Sequence, residues 1–280
     1  MQKTVLITGS STGFGQATAR RFLTAGWNVV ATMRNTDDWR DDLADRLHLQ
    51  PLDVTDLVSI RAAFAAAQTR FGGIDAVLNI AGIGLFSVFE ATTDEQVREQ
   101  FETNTFGPME IMRQAIPHLR ARGGGHIVNL TSASSTVPEP LMAIYNGSKS
   151  ALDNMSETLR FELAPQNIVM RIIQPGFVPT TELVKKQWAA ASSLVIPPEY
   201  ESYVHQRMDF FQSPPKNVLP TAEDVAEAIL ESVTDTSNRL RWVVGADQTE
   251  RFHMRHETSE GAYNTWGWNT FGPVAQHVGN

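Results

Sequence analysis

The strongest constraint on this chain is a rhythm: short runs of Val, Ile and Leu alternate with longer stretches of helical periodicity along most of its 280 residues. Strands are predicted at Val5–Thr8, Trp27–Met33, His48–Leu52, Ala76–Ile80, His126–Thr131, Val169–Ile173 and Leu240–Gly245. Helices are predicted at Phe14–Ala25, Asp56–Arg70, Asp94–Arg120, Leu141–Ala164 and Ala222–Val233. Apolar runs with few polar interruptions mark strands covered on both faces, and strand–helix alternation is the pattern of βαβ units around a parallel sheet. The expected class is therefore α/β, a doubly wound parallel sheet in a single domain over 1–280, a length that one such domain can fill. Thr93 with Gln96 and Thr221 with Asp224 have capping-box spacing. Gly72-Gly73 and Gly123-Gly124-Gly125 supply stops between helix and strand.

Two regions break the rhythm. The excursion 177–220 holds Pro179, Pro197, Pro198, Pro214 and Pro215 together with Trp188, Tyr200, Tyr203, Phe210 and Phe211. So long a connection in a compact domain is usually functional, and a substrate lid is the expectation. The tail 246–280 carries Phe252, Tyr263, Trp266, Trp268 and Phe271, too many aromatic groups to leave in water, so it should cover its own domain or a partner subunit. Composition excludes several classes. With 31 acids against 23 bases and a net charge of −8, the chain is ill suited to a nucleic-acid backbone. The absence of cysteine removes disulfides, thiolate metal sites and thiol nucleophiles. No run approaches the roughly 18 apolar residues of a membrane span, and the N-terminus leads directly into a strand, so a cytoplasmic location without membrane attachment is expected.

Between the first strand and first helix stands Thr8-Gly9-Ser10-Ser11-Thr12-Gly13-Phe14-Gly15. Glycines let the backbone approach a pyrophosphate, the helix start offers free N–H groups, and Ser11 and Thr12 can add hydroxyl bonds. The same turn could serve as a bland tight connection, but its place in a βαβ unit points to a dinucleotide. After the second strand comes Arg34 rather than an acid. A guanidinium suits a ribose 2′-phosphate, so NADP(H) is preferred with NAD(H) possible; the competing reading pairs Arg34 with Asp37 or Asp38. Asp53 is placed to accept from an adenine amino group or to cap the next helix. Tyr145 and Lys149 are four apart on one helical face, Ser132 follows a strand, and Asn104 precedes Gly107-Pro108 in a helix that such a pair should disturb. His253, His256 and Glu257 lack a matching carboxylate set, so no metal is expected.

Taken together, Thr8-Gly9-x3-Gly13-x-Gly15, Asn79-Ile80-Ala81-Gly82, Asn104, Ser132, Tyr145-x3-Lys149 and Pro175-Gly176-x3-Thr180 resemble the short-chain dehydrogenase/reductase family from Thr4 to Gly245. Ile80 departs from the family, which often has a second Asn there. The resemblance implies a Rossmann-type sheet of order 3-2-1-4-5-6-7. It also implies hydride transfer between nicotinamide and an alcohol or carbonyl carbon. Tyr145 would be the acid or base, and Lys149, with the oxidised nicotinamide, would lower its pKa from about 10. Lys149 would also hold the nicotinamide ribose, Ser132 would bond the substrate oxygen, and Asn104 would order a relay water. Pro175-Gly176 would turn beneath the nicotinamide, with Val178 (through its backbone) and Thr180 fixing the carboxamide. Phe14, Val54, Asn79, Ala81 and Gly82 complete the implied cofactor set. The pattern is nearest to hydroxysteroid and retinol dehydrogenases, implying a hydrophobic alcohol or ketone against Trp188, Tyr200 and Phe211, and a homodimer or homotetramer. The alternatives are a sugar-nucleotide epimerase or dehydratase and a non-catalytic NADP(H) sensor.

Overall fold

Val5, Leu6 and Ile7 are all fully buried, which alternating side chains achieve only when both faces of a strand are covered. The computed structural model describes residues 2–39, 45–181, 184–185, 195–212, 219–246 and 248–273, without the side chains of 209–212. Within them, β1 (Thr4–Ile7), β2 (Asn28–Met33), β3 (Leu47–Pro51), β4 (Ala76–Asn79), β5 (Gly125–Leu130), β6 (Ile168–Pro175) and β7 (Arg241–Val244) form one sheet. Every neighbouring pair is parallel, and the order is β3-β2-β1-β4-β5-β6-β7. This is the expected topology, with strand limits differing from expectation by one or two residues.

Two apolar layers sandwich the sheet. On one face, α1 (Gly13–Thr24) and α7 (Ala222–Thr234) bury Phe22, Val225 and Ile229 against Val5, Ile7 and Val29. On the other, α2 (Leu57–Phe71), α4 (Gly107–Ala121) and α5 (Ala143–Leu163) bury Phe64, Ile111 and Leu152 against Leu6, Val77 and Ile127. Both capping boxes form, Thr93 with Gln96 and Thr221 with Asp224. Gly72 closes α2 in the left-handed region at φ 76°.

The helix expected over Asp94–Arg120 is instead three pieces: α3 (Asp94–Phe101), a π-helical turn (Glu102–Phe106) and α4. The cause is local. Pro108 has no N–H to give the Asn104 carbonyl, and the Gly107 N–H bonds Glu102 O, five residues back. Sequence periodicity also missed α6 (Glu201–Gln212), α8 (Gln248–His256) and α9 (Glu260–Phe271). No residue of α9 is buried and only Gln248 of α8 is, so neither has the apolar stripe on which a helix is recognised.

The strand order reverses between β1 and β4, and at such a switch the loops at the carboxyl ends of the strands diverge and leave a crevice.

Candidate active site

The crevice starts with the turn after β1. Thr8 Oγ1 accepts from the Ile80 and Ala81 N–H groups at 2.9 and 3.0 Å, binding this turn to the one after β4. A Cβ on Gly9 would lie 2.8 Å from Ala81 Cα, and one on Gly15 only 2.1 Å from the Gly9 carbonyl oxygen. Backbone meets backbone here, and only glycine leaves room. Thr12 is the N-cap of α1, yet its side chain makes no capping bond, and the first turn of the helix carries no acid. Its N–H groups and positive end are thus open to an anion.

From this turn a cleft of about 470 Å³ runs along the sheet edge. Of the residues expected at the cofactor, Gly9, Ser11, Thr12, Gly13, Phe14, Gly15, Arg34, Asp53, Val54, Ala81, Gly82, Tyr145 and Lys149 line it. They follow successive strands, as a crevice at the carboxyl ends of parallel strands requires. Arg34 is exposed at the rim and has no ion pair with Asp37 or Asp38. Thr55 donates its N–H and hydroxyl to Asp53 Oδ1 at 2.9 and 2.8 Å. Those bonds, aided by the Arg34 charge, hold the Asp53 carboxyl below its ordinary pKa. Asp56, not Asp53, caps α2 through the Val58 N–H. The uncommitted helix terminus, the glycine cradle and a rim guanidinium fit a dinucleotide.

Four placements differ from expectation. Asn79 is buried and does not line the cleft; its Nδ2 donates to Asn129 Oδ1 at 2.8 Å, inside the sheet. Thr180 is exposed, whereas Thr181 is buried and lines the cleft, its methyl side facing Gly13. The backbone reverses here: Thr181 donates both N–H and hydroxyl to Val178 O, which occupies the Val178 carbonyl and turns Thr180 outward. Pro175 and Gly176 stand behind the cleft wall, Gly176 N–H bonded to Val244 O at 2.8 Å. Sequence reasoning also missed Ile83, Glu99 and Thr103 in the lining. Only proximity in space brings them there.

The reactive groups converge at the other end. Tyr145 and Lys149, 7% and 5% exposed, sit one turn apart on α5. The Lys149 ammonium donates to Leu130 O at 2.9 Å, at the end of β5. Ser132 is the N-cap of the short turn Ala133–Ser135; its Oγ accepts from the Ser134 N–H and hydroxyl at 3.2 and 3.0 Å and stands near enough to the phenol to act on its pKa. The expected depression of the Tyr145 pKa by Lys149 is not found in the protein by itself: burial raises the phenol, and only Ser132 pulls it down. Burial equally lowers Lys149, to about 8. Both shifts have the same physical root, since a low-dielectric wall penalises either charged form.

Asn104 is fully buried in the π turn. Its amide accepts from Ile83 N at 2.9 Å, donates to Ile83 O at 2.8 Å and reaches Ser148 Oγ at 3.2 Å. It therefore clasps the β4 loop to α5 and does not itself line the cleft. A Cβ on Gly82 would sit 3.1 Å from Asn104 Oδ1 and 3.3 Å from Lys149 Nζ, so glycine keeps open the space between them.

The elements that follow β6 are tied in by side chains. Tyr200 Oη donates to Glu90 at 3.3 Å. Tyr203 Oη and Arg207 Nη1 on α6 donate to Phe271 O and Thr270 O at the end of α9, at 2.7 and 2.9 Å. Arg251 of α8 is paired with Glu139, in the loop ahead of Tyr145. Of the aromatic residues expected around a substrate, Trp188 lies outside the described residues, as do the side chains of Phe210 and Phe211, and Tyr200 does not line the cleft. His253 pairs with Glu257 at 2.9 Å, while the His256 ring lies against Phe252. No described helix is long and apolar enough to cross a membrane.

The sequence profile described as short chain dehydrogenase matches residues 3–192. An uncharacterised oxidoreductase of Schizosaccharomyces pombe, C162.03, is 39% identical over 191 residues; the match covers 68% of this chain and 63% of that protein, less than two thirds of its length. The crystal structure of a short-chain dehydrogenase from Streptomyces avermitilis superposes with a TM-score of 0.81 at 29% identity, covering 98% of this chain and 99% of the other. A 3-ketoacyl-(acyl-carrier-protein) reductase from Brucella melitensis, solved with NADH, gives 0.76 at 26% identity over 88% of this chain and 98% of the other.

Proposed function

The chain belongs to the short-chain dehydrogenase/reductase family, and on that premise we propose that it interconverts a hydrophobic alcohol and the corresponding ketone or aldehyde with NADP(H). At the coarser level it is an oxidoreductase acting on an alcohol or carbonyl group with a nicotinamide cofactor, the chemistry of its family. The reading is carried by one observation: a buried phenol and a buried ammonium share one face of α5 and both line the end of the cleft.

A nicotinamide held in this cleft would supply or accept the hydride. Tyr145 gives its proton to the carbonyl oxygen during reduction and takes it from the hydroxyl during oxidation. Burial keeps the phenol protonated, the form that reduction needs. Ser132 bonds the same oxygen and offsets the charge growing there. Lys149, lowered to about 8, can exchange a proton near neutrality and lies beside Gly82 with further donors for ribose hydroxyls. Arg34 supports the 2′-phosphate of NADP(H), because it stands unpaired at the rim where β2 ends. NADH in the Brucella relative makes cofactor preference a quantity to measure. Self-association is part of the same reading; Phe106 in the π turn and Phe161 on α5 are 44% and 68% exposed.

The test is Tyr145→Phe. Reduction of a panel of aliphatic and aromatic ketones, followed by the absorbance of reduced nicotinamide, should fall about a thousandfold while NADPH affinity stays within about twofold. A variant that keeps its rate would leave a cofactor-binding protein without this chemistry.

A further inference from the structure

One buried acid of α5 has no part in the chemistry above. Asp153 is 7% exposed and lies two helical turns beyond Tyr145, about 12 Å along the axis at about 1.5 Å per residue, too far to touch a reacting atom. Its two oxygens serve different neighbours. Oδ1 accepts from Arg241 of β7, from Nη2 at 2.6 Å and Nε at 3.2 Å. Oδ2 faces the catalytic side: it accepts from Gln174 Nε2 at 2.7 Å and Thr131 Oγ1 at 3.2 Å, with Ser135 Oγ at 3.5 Å.

These partners are the two ends and the flank of the turn that carries Ser132. Thr131 precedes it. Ser135 closes it, donating both N–H and hydroxyl to Ser132 O. Gln174, fully buried, also donates to Thr136 Oγ1 at 3.0 Å. Ser150, three residues before Asp153 on the same helix, donates to Ser135 O at 3.0 Å. So α5 grips this turn in two rows: Lys149 bonds Leu130 O with Tyr145 beside it on the same face, while Ser150 holds Ser135 O and Asp153 holds Thr131 behind them. Simple anchoring of the helix to the sheet would need Oδ1 and Arg241 alone.

We infer that Asp153 is a positioning residue: through Thr131 and Gln174 it fixes the turn that holds Ser132 beside the Tyr145 phenol. The inference rests on the reading of Tyr145 as the acid–base group, but its test needs no substrate.

The full chain is labelled with ¹³Cζ-tyrosine, and Tyr145→Phe identifies the resonance of Tyr145 among four tyrosines. Ser132→Ala should raise the midpoint of its titration by about one unit, the size of a lost hydrogen bond to the phenolate. Asp153→Ala should do the same, and the double variant should go no further. Asp153→Asn keeps one oxygen for Thr131 and Gln174 but loses the charge facing Arg241, so its midpoint should stay near that of the unaltered protein while its melting temperature falls. Where the fold melts before the phenol titrates, the neutral-pH Cζ shift should move alike in Ser132→Ala and Asp153→Ala. Should Asp153→Ala not fold, Thr131→Val cuts the same grip from the turn side. An unmoved resonance in Asp153→Ala or Thr131→Val, or effects that add in the double variant, overturns the inference. Undiminished turnover in Tyr145→Phe would instead overturn the functional reading and leave this coupling standing.

Discussion

The nucleotide end of the crevice and the C-terminal end of the chain are built in different ways. At the nucleotide end, main chain touches main chain: Gly9 against Ala81, Gly15 against Gly9, with the α1 terminus left open. Around α6, α8 and α9, surfaces are joined by long side chains: Arg251 to Glu139, Tyr203 to Phe271 O, Arg207 to Thr270 O. Backbone contact dictates one residue type at one spacing and tolerates no substitute. Side-chain contact can be rebuilt from many residue pairs. The first kind of construction leaves the turn a single shape, and the second leaves the joined surfaces free to change.

Gly15→Ala is the hardest test of that contrast. Its methyl would meet a carbonyl oxygen that has nowhere to go, so about 3 kcal/mol of stability should be lost, together with NADPH binding. Urea denaturation and nicotinamide fluorescence measure the two, and a variant that binds NADPH normally would break the comparison at its strongest point. Arg34→Ala comes next. It should weaken NADPH about tenfold, the loss of one charge-assisted contact of about 1.4 kcal/mol, while leaving NADH unchanged; equal loss for both cofactors would remove the 2′-phosphate from the argument. Arg251→Gln should have the smallest effect. Loss of a partly buried ion pair should cost about 1 kcal/mol and quicken amide exchange in 137–142 and 248–271, with NADPH affinity unaltered. If it weakened NADPH as much as Arg34→Ala does, the two ends would not be separable.

The same contrast explains what the sequence discloses. The unbroken Val, Ile and Leu runs report double coverage, and so the parallel sheet; its order comes only with the family resemblance. The glycine spacing and the Tyr145–Lys149 pair report local geometry, and both survive into the structure. What depends on packing was hidden. Nothing in Thr180-Thr181 says which threonine the reversing backbone turns inward. Asn79 carries a motif letter but spends its amide inside the sheet on Asn129. Asp53 and Asp56 both look like caps, and only the main-chain path gives the cap to Asp56. Gly107-Pro108 correctly signalled an irregular helix without revealing its form. The raised pKa of Tyr145 in the protein by itself was hidden for a related reason: proximity to Lys149 is readable from spacing, while the opposing effect of burial is not.

The π turn at 102–106 has a consequence for what insertions and deletions the chain can accept. An α-helix advances about 100° per residue, so one residue added within such a turn sets α4 about a quarter-circle out of phase with α3. Ile111, Met112, Ala115 and Leu119 face the sheet only because of that offset. Trimming one residue from 102–106 would heal the irregularity and, by the same stroke, rotate all four toward water. The residue count of this stretch is thus more strictly fixed than its spelling, and evolution can reword it but not shorten it.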